Sequence, residues 1–312
     1  MSRLSGAGGT TRVDAGSAAL NPDNARAALA IACRTVGVDA VGAVLIRLGE
    51  NAVFRLQAAP IVARVGRSAD RLSDAEREVR VARWLEQAGV PAIRPLDVAQ
   101  PIEADGRVVT LWESASDEED YGSTAQLGTL LRQLHRLDAP ADLRLPPVEP
   151  FGRALRRIED VSGLSAEDRS FLRQRADALT AEYAGLTFVL PAGPVHGDAN
   201  VGNVIRDRNG RALFLDLDGF ASGAREWDLI LTAIYYDRFG WHTGAEYRDF
   251  VDAYGYDVMK WPGYQILRDV REFLMVTWLV QNAAEDTTVA REFAKRMQTL
   301  RTGGSPRDWK PF

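Results

Sequence analysis

The sequence predicts an α+β chain of two lobes, a small β-rich lobe followed by a larger, mainly helical one. Short Val-, Ile- and Leu-rich runs broken by turn residues crowd the region from Gly42 to Trp112. From Ser123 onward, apolar residues recur at helical spacing, interrupted by one compact strand-and-loop stretch from Val189 to Gly219. The boundaries that follow are a tail at 1–20, a first lobe at 21–113 and a second lobe at 114–312.

Taken in order, Asn21-Pro22-Asp23 starts a helix that runs over Ala25–Thr35 and stops at Gly37. Strands are expected at Gly42–Leu48, Ala52–Leu56 and Ile61–Val65, separated by the turn Gly49-Glu50-Asn51 and by Ala58-Ala59-Pro60. Ser73 and Glu76 have capping-box spacing ahead of a helix whose Val79, Ala82, Trp84 and Leu85 form an apolar face, ended by Gly89 and Pro91. A further strand covers Val108–Trp112. The acidic stretch Ser114–Tyr121 reads as a linker or lid. Ser123 and Gln126 cap a leucine-rich helix, and the Pro-rich segment Pro140–Pro150 is a loop. Helices are expected at Phe151–Glu159 and Ala166–Ala184, then again from Arg225 to Arg301.

Composition removes several classes of function. A formal charge of −5 over 312 residues argues against a general nucleic-acid binder, which needs a basic footprint. Cys33 is the one cysteine, so neither an intrachain disulfide nor a thiolate metal cluster is available, and a reducing cytoplasm suits the chain. No apolar run reaches the ~18 residues of a membrane span. Met1–Ala19 is rich in Ser, Gly and Ala without an apolar core, and reads as a disordered tail, not a secretion signal. Lysine occurs only at 260, 295 and 310, so any phosphate-binding cation in the first half must be arginine.

Chemistry concentrates in two neighbouring stretches, Val195-His196-Gly197-Asp198-Ala199-Asn200-Val201-Gly202-Asn203-Val204 and Leu213-Phe214-Leu215-Asp216-Leu217-Asp218-Gly219. An Asp and an Asn five residues apart, followed by an Asp at the end of an apolar strand, suit phosphoryl transfer. That reaction needs hard oxygen ligands for Mg²⁺, here Asn203 and Asp216. It also needs a carboxylate to orient the acceptor hydroxyl and take its proton, here Asp198. Each residue alone could equally belong to an ordinary turn, and it is the joint pattern that points to chemistry.

These motifs resemble the aminoglycoside phosphotransferase family, with its choline-kinase-like members, which shares its fold with protein kinases. The family's His-Gly-Asp, four residues, Asn pattern matches His196 to Asn203. Its strand-terminal Asp matches Asp216, and its Gly-x-x-x-Trp-Asp-Leu segment is similar to Gly223–Leu229. The resemblance runs from about Gly42 to at least Asn282.

The resemblance implies a protein-kinase-like fold, ATP or GTP as phosphate donor, Mg²⁺, and a small hydroxylated acceptor. Asp198 would be the base and Asn203 and Asp216 the metal ligands, with His196 and Asp228 supporting the loop and Trp227 packed beside it. The third strand and the next helix would supply a cation and its Glu, Arg64 and Glu78, although many members carry Lys in place of Arg64. Gly49 and Asn51 would cover the phosphates, and Val109–Trp112, with Thr110 and Trp112, would form the base-binding hinge. For the acceptor the candidates are Asp218, Asp237 and Glu272; the last could instead pair with Arg268 or Arg271 on its own helix. His135 reads as structural. The acceptor could be an aminoglycoside or other antibiotic, or choline or a sugar. Competing expectations are a protein kinase, a non-catalytic module of the same fold, and a metal hydrolase using His196, Asp198 and Asp216.

Overall fold

The computed structural model describes residues 19–117, 119–161, 163–281, 283 and 286–311. The expected disordered tail, 1–20, falls almost wholly outside them. The described residues form two compact units, one of residues up to Glu76 with Pro95–Glu113, the other of Arg77–Arg94 with the residues from Ser114.

The first unit is an antiparallel sheet with one helix on it. Strands β1 (Val44–Leu48), β2 (Ala52–Arg55), β3 (Ile61–Val65), β4 (Ile102–Ala104) and β5 (Arg107–Glu113) are ordered β1-β2-β3-β5-β4. Alternation decides which face is buried. Ala52, Phe54, Ile61, Ala63 and Val65 point one way and meet Ala25, Ala28, Leu29, Ala32 and Cys33 of α1 (Pro22–Thr35). Asn21 caps α1 by accepting the N–H groups of Asp23 and Asn24, as its place before Pro22 predicts. Helix α2 (Leu72–Gln87) starts as the continuation of a tight turn at Ala69–Arg71, so Ser73 lies inside the helix and is not its cap. Strand β4 was not expected; three residues are too few for a periodicity to register.

In the second unit, α3 (Thr124–Leu134), α4 (Phe151–Asp160) and α5 (Ala166–Ala184) precede the strands. Ser123 and Gln126 make the expected reciprocal cap on α3. Short strands β6 (Gly193–Val195) and β9 (Ala221–Gly223) pair with each other, and β7 (Val204–Arg206) pairs with β8 (Ala212–Phe214) as a hairpin. Helices α6 (Glu226–Ile234), α7 (Gly244–Tyr254), α8 (Tyr264–Leu279) and α9 (Thr287–Thr302) complete the unit, with a π-helical turn at Tyr235–Phe239 after α6. Gly128 lets α3 lie close to α7, because a β-carbon there would come within 2.7 Å of the Phe250 carbonyl oxygen. No helix among the described residues is long and apolar enough to cross a membrane.

Candidate active site

The loop between β6 and β7 is held from below by one buried carboxylate. Oδ2 of Asp228 accepts the backbone N–H of His196 at 2.7 Å, and Oδ1 accepts that of Gly197 at 2.9 Å. Nε2 of His135 lies 3.0 Å from the same Oδ2, and its Nδ1 lies 2.8 Å from the Tyr254 hydroxyl. Burial alone would push the Asp228 carboxyl up, but the His135 imidazole and the neighbouring His196 outweigh it and hold Asp228 below the usual carboxylate range. Asp228 sits here because α6 starts immediately after β9, the strand paired with β6. His196 in turn donates from Nε2 to the Leu215 carbonyl at 2.9 Å, between the rings of Phe214 and Phe220.

Gly197 makes the turn that presents Asp198. Its φ of +88° belongs to the left-handed region, and any β-carbon would collide with the Gly219 carbonyl. Nε1 of Trp227 donates to the Gly197 carbonyl at 2.9 Å. The guanidinium of Arg271, from α8, lies 4.6 Å from the centre of the Trp227 ring.

Asp198 is the exposed member, with 56% of its side chain accessible. Nδ2 of Asn203 reaches both its backbone oxygen, at 2.8 Å, and its Oδ2, at 3.0 Å. Asn200 adds contacts to the same two oxygens at 3.1 and 3.3 Å. On the other side, Arg271 Nη2 lies 3.2 Å from Oδ1. The nearby Tyr235 hydroxyl is pushed up to about 12 by burial and then by the Asp198 charge.

The hairpin brings the backbones of Asn203 and Asp216, the expected metal ligands, to one end. Val204 is opposite Phe214, and the Leu215 N–H donates to the Asn203 carbonyl at 2.8 Å, so Asn203 and Asp216 close the same end of the ladder. Asp216 then turns into the left-handed region at φ +52°. Both Asp198 partners of the Asn203 amide are oxygens. Its NH₂ therefore faces Asp198, and its oxygen faces away. One amide oxygen and one carboxylate are a hard donor set that fits a magnesium ion completed by phosphate and water. Among the described residues no group of three or more His, Cys, Asp or Glu could hold a metal.

The remaining expected residues lie in both units. In the first unit, Arg64 is half-buried on β3, on the face opposite Ala63, in register with Val53 and Thr110. Gly49 and Asn51 close the β1–β2 turn through a 3.0 Å backbone bond. Thr110 and Trp112 lie within β5, and the indole donates to the threonine hydroxyl at 2.9 Å. The backbone of Leu111 between them is already bonded to Gln100 and Leu96. Glu78 is buried on α2, in the part of that helix that belongs to the second unit. In the second unit, Asp218 is exposed in the tight turn Leu217–Gly219, Asp237 accepts the Tyr264 hydroxyl at 3.0 Å, and Glu272 is buried against Arg238 at 2.7 Å.

Three residues that meet Asp198 or its brace had no sequence signal of their own. In sequence Asn200 belongs to a turn, Arg271 is a same-helix partner for Glu272, and His135 reads as structural. The signal that could have found Arg271 is its place one turn along α8 from Leu267, in a run of buried residues from Val270 to Phe273.

Comparison with known proteins now bears on these residues. The profile of the phosphotransferase enzyme family matches residues 45–270. The chain belongs to this family. Among solved structures, an amicoumacin kinase in complex with AMP-PNP, Ca²⁺ and Ami superposes with a TM-score of 0.67 at 16% identity, over 86% of this chain and 90% of that one. A spectinomycin phosphotransferase in complex with ADP and spectinomycin gives 0.62 at 16% identity, over 87% and 93%. A choline/ethanolamine kinase family protein from Mesorhizobium loti gives 0.57 at 21%, over 90% and 93%. At such identities the likeness is one of fold, and it bears out the α+β, kinase-like expectation. No curated protein sequence matches this chain significantly.

Proposed function

We propose that the protein is a Mg²⁺-dependent kinase of a small hydroxylated molecule, with ATP or GTP as donor and an antibiotic as the acceptor class. The observation that carries this reading is the Asn203 amide, which donates to Asp198 from the end of the hairpin that Asp216 also closes. One short segment thus supplies a hydroxyl-orienting carboxylate and a hard oxygen pair. Asn203 and Asp216 would hold the metal, which when bound neutralises charge on the nucleotide phosphates.

Asp198 would accept the acceptor hydroxyl's hydrogen bond and receive its proton as the oxygen bonds to the γ-phosphorus and the diphosphate leaves. Its carboxylate is fixed by Asn200, Asn203 and Arg271, so little reorganisation precedes the step. In the first unit, Arg64, Gly49 and Asn51 are assigned to the nucleotide phosphates and Thr110 and Trp112 to its base; Glu78 keeps its nucleotide-binding assignment. Asp218, Asp237 and Glu272 remain the acceptor-side candidates. The cytoplasm, which supplies nucleoside triphosphates, is the proposed working compartment. Support comes from the nucleotide complexes of the amicoumacin and spectinomycin enzymes. The likeness to the choline/ethanolamine kinase family protein supports a second reading, a kinase of a small metabolite such as choline or a sugar.

The test is nucleotide consumption over a panel of antibiotics and small alcohols with Mg²⁺. Asp198→Asn is expected to abolish turnover and keep Mg²⁺–nucleotide binding. Full turnover in that variant overturns the reading.

A further inference from the structure

The helices that meet Asp198 carry a charge pattern of their own. Helix α6, the π-helical turn and α8 hold five acidic side chains, Glu226, Asp228, Asp237, Asp269 and Glu272, and all five are engaged. Glu226 accepts the N–H groups of Val189 and Leu190 at 2.7 and 2.9 Å. Asp228 holds the loop. Asp237 takes the Tyr264 hydroxyl, Asp269 is paired with Arg268 at 2.9 Å and Arg175 at 3.3 Å, and Glu272 is paired with Arg238. The exposed Asp249 and Asp252 lie on α7, whose main partner is α3.

An ammonium group entering such a site must exchange its water shell for carboxylates, and those of Asp228, Asp269 and Glu272 here already serve buried or charged partners. For Glu272 that would take its nearest carboxylate from the half-buried Arg238 guanidinium.

Arg271 has the opposite character. Its carboxylate partner is Asp198 itself, so a hydroxyl docking on Asp198 arrives beside a guanidinium. Two of its five N–H donors are used, on Asp198 Oδ1 and on the Gly197 carbonyl at 3.4 Å. With its face on Trp227 the fork is fixed in plane, and it suits a carboxylate, phosphate or carbonyl next to the reacting hydroxyl.

We infer that the acceptor is a neutral or acidic hydroxyl compound and not a polyamine, and that Arg271 sets this choice. The inference rests on the reading of Asp198 as the residue that receives the hydroxyl, and it narrows the antibiotic class to molecules without several amines.

The experiment compares initial rates of the full-length protein, with Mg²⁺ and ATP, on kanamycin, a neutral nucleoside, a neutral sugar and glycerate. Turnover is expected with neutral or acidic compounds and not with kanamycin. Arg271→Gln should lower kcat/KM for an acidic acceptor at least about tenfold more than for a neutral one, and Arg271→Lys should restore part of that ratio. Kanamycin as the best acceptor, an equal loss on every class in Arg271→Gln, or no turnover of any neutral or acidic compound each overturns the inference. If Arg271→Gln does not fold, the wild-type ranking alone decides. Kanamycin turnover that disappears in Asp198→Asn would end this inference and leave the phosphotransferase reading standing. Absence of any Mg²⁺-dependent nucleotide turnover would end both.

Discussion

Nε2 of His135 lies 3.0 Å from Oδ2 of Asp228, with the two side chains 2% and 0% exposed. The pair ties α3 to the start of α6, and through Asp228 to two consecutive N–H groups of the loop that presents Asp198. Removing the carboxylate leaves an imidazole and two amides buried without an acceptor. Asp228→Ala is therefore expected to cost about 3–5 kcal/mol, and His135→Ala about 1–3 kcal/mol. Chemical denaturation of both variants checks the order; equal stability of Asp228→Ala and wild type would refute the bracing role.

Gly197 has no room for a side chain. Gly197→Ala must move either the turn or the Gly219 carbonyl, and it must hold a left-handed φ that costs roughly 1–3 kcal/mol in strain. Displacing Asp198 by about 1 Å is expected to lower kcat by roughly 100-fold. Steady-state kinetics beside a melting curve separate the two effects.

Asn203→Ala removes an amide oxygen from the proposed metal pair and a donor from Asp198 together. The Mg²⁺ concentration for half-maximal turnover should rise at least about tenfold, with kcat also reduced. A Mg²⁺ titration that superposes on wild type would exclude Asn203 as a ligand.

Acid should loosen the C-terminal segment. Burial would raise the Glu292 carboxyl, but the Lys310 N–H, Lys295 and Arg296 together hold it below its ordinary 4.5. A depressed carboxyl contributes stability that is present above 4.5 and is lost as pH falls through its folded value. The melting temperature should therefore fall with pH below about 4.5, and Glu292→Gln should flatten that limb. An unchanged acid limb would dismiss Glu292 as the source.

Much of this molecule was legible because its chemistry lies on consecutive residues. His196 to Asn203 and Asp216 are local, so spacing alone placed the loop and the hairpin that closes it. The caps at Asn21 and Ser123 were equally local. What could not be read was what arrives from far along the chain. Arg271 comes 73 residues after Asp198, and His135 precedes Asp228 by 93, and neither separation leaves a pattern in sequence. Glu272 shows the same limit: the alternative to its acceptor-side reading was a pairing with its sequence neighbours Arg268 or Arg271, but the side chain turns to Arg238 in the π-helical turn. Ser73 misled because a tight turn merged into α2 and removed the helix end it was expected to cap.

Trp227 has its indole N–H on the Gly197 carbonyl and its ring under Arg271, one step from the candidate base on either side. That makes it a native optical gauge of this corner. Any ligand that draws Arg271 away or shifts the carbonyl changes the electric field across the indole, and so its emission. A Trp227→Phe difference spectrum would isolate the signal from the other tryptophans and follow acceptor binding with no label attached.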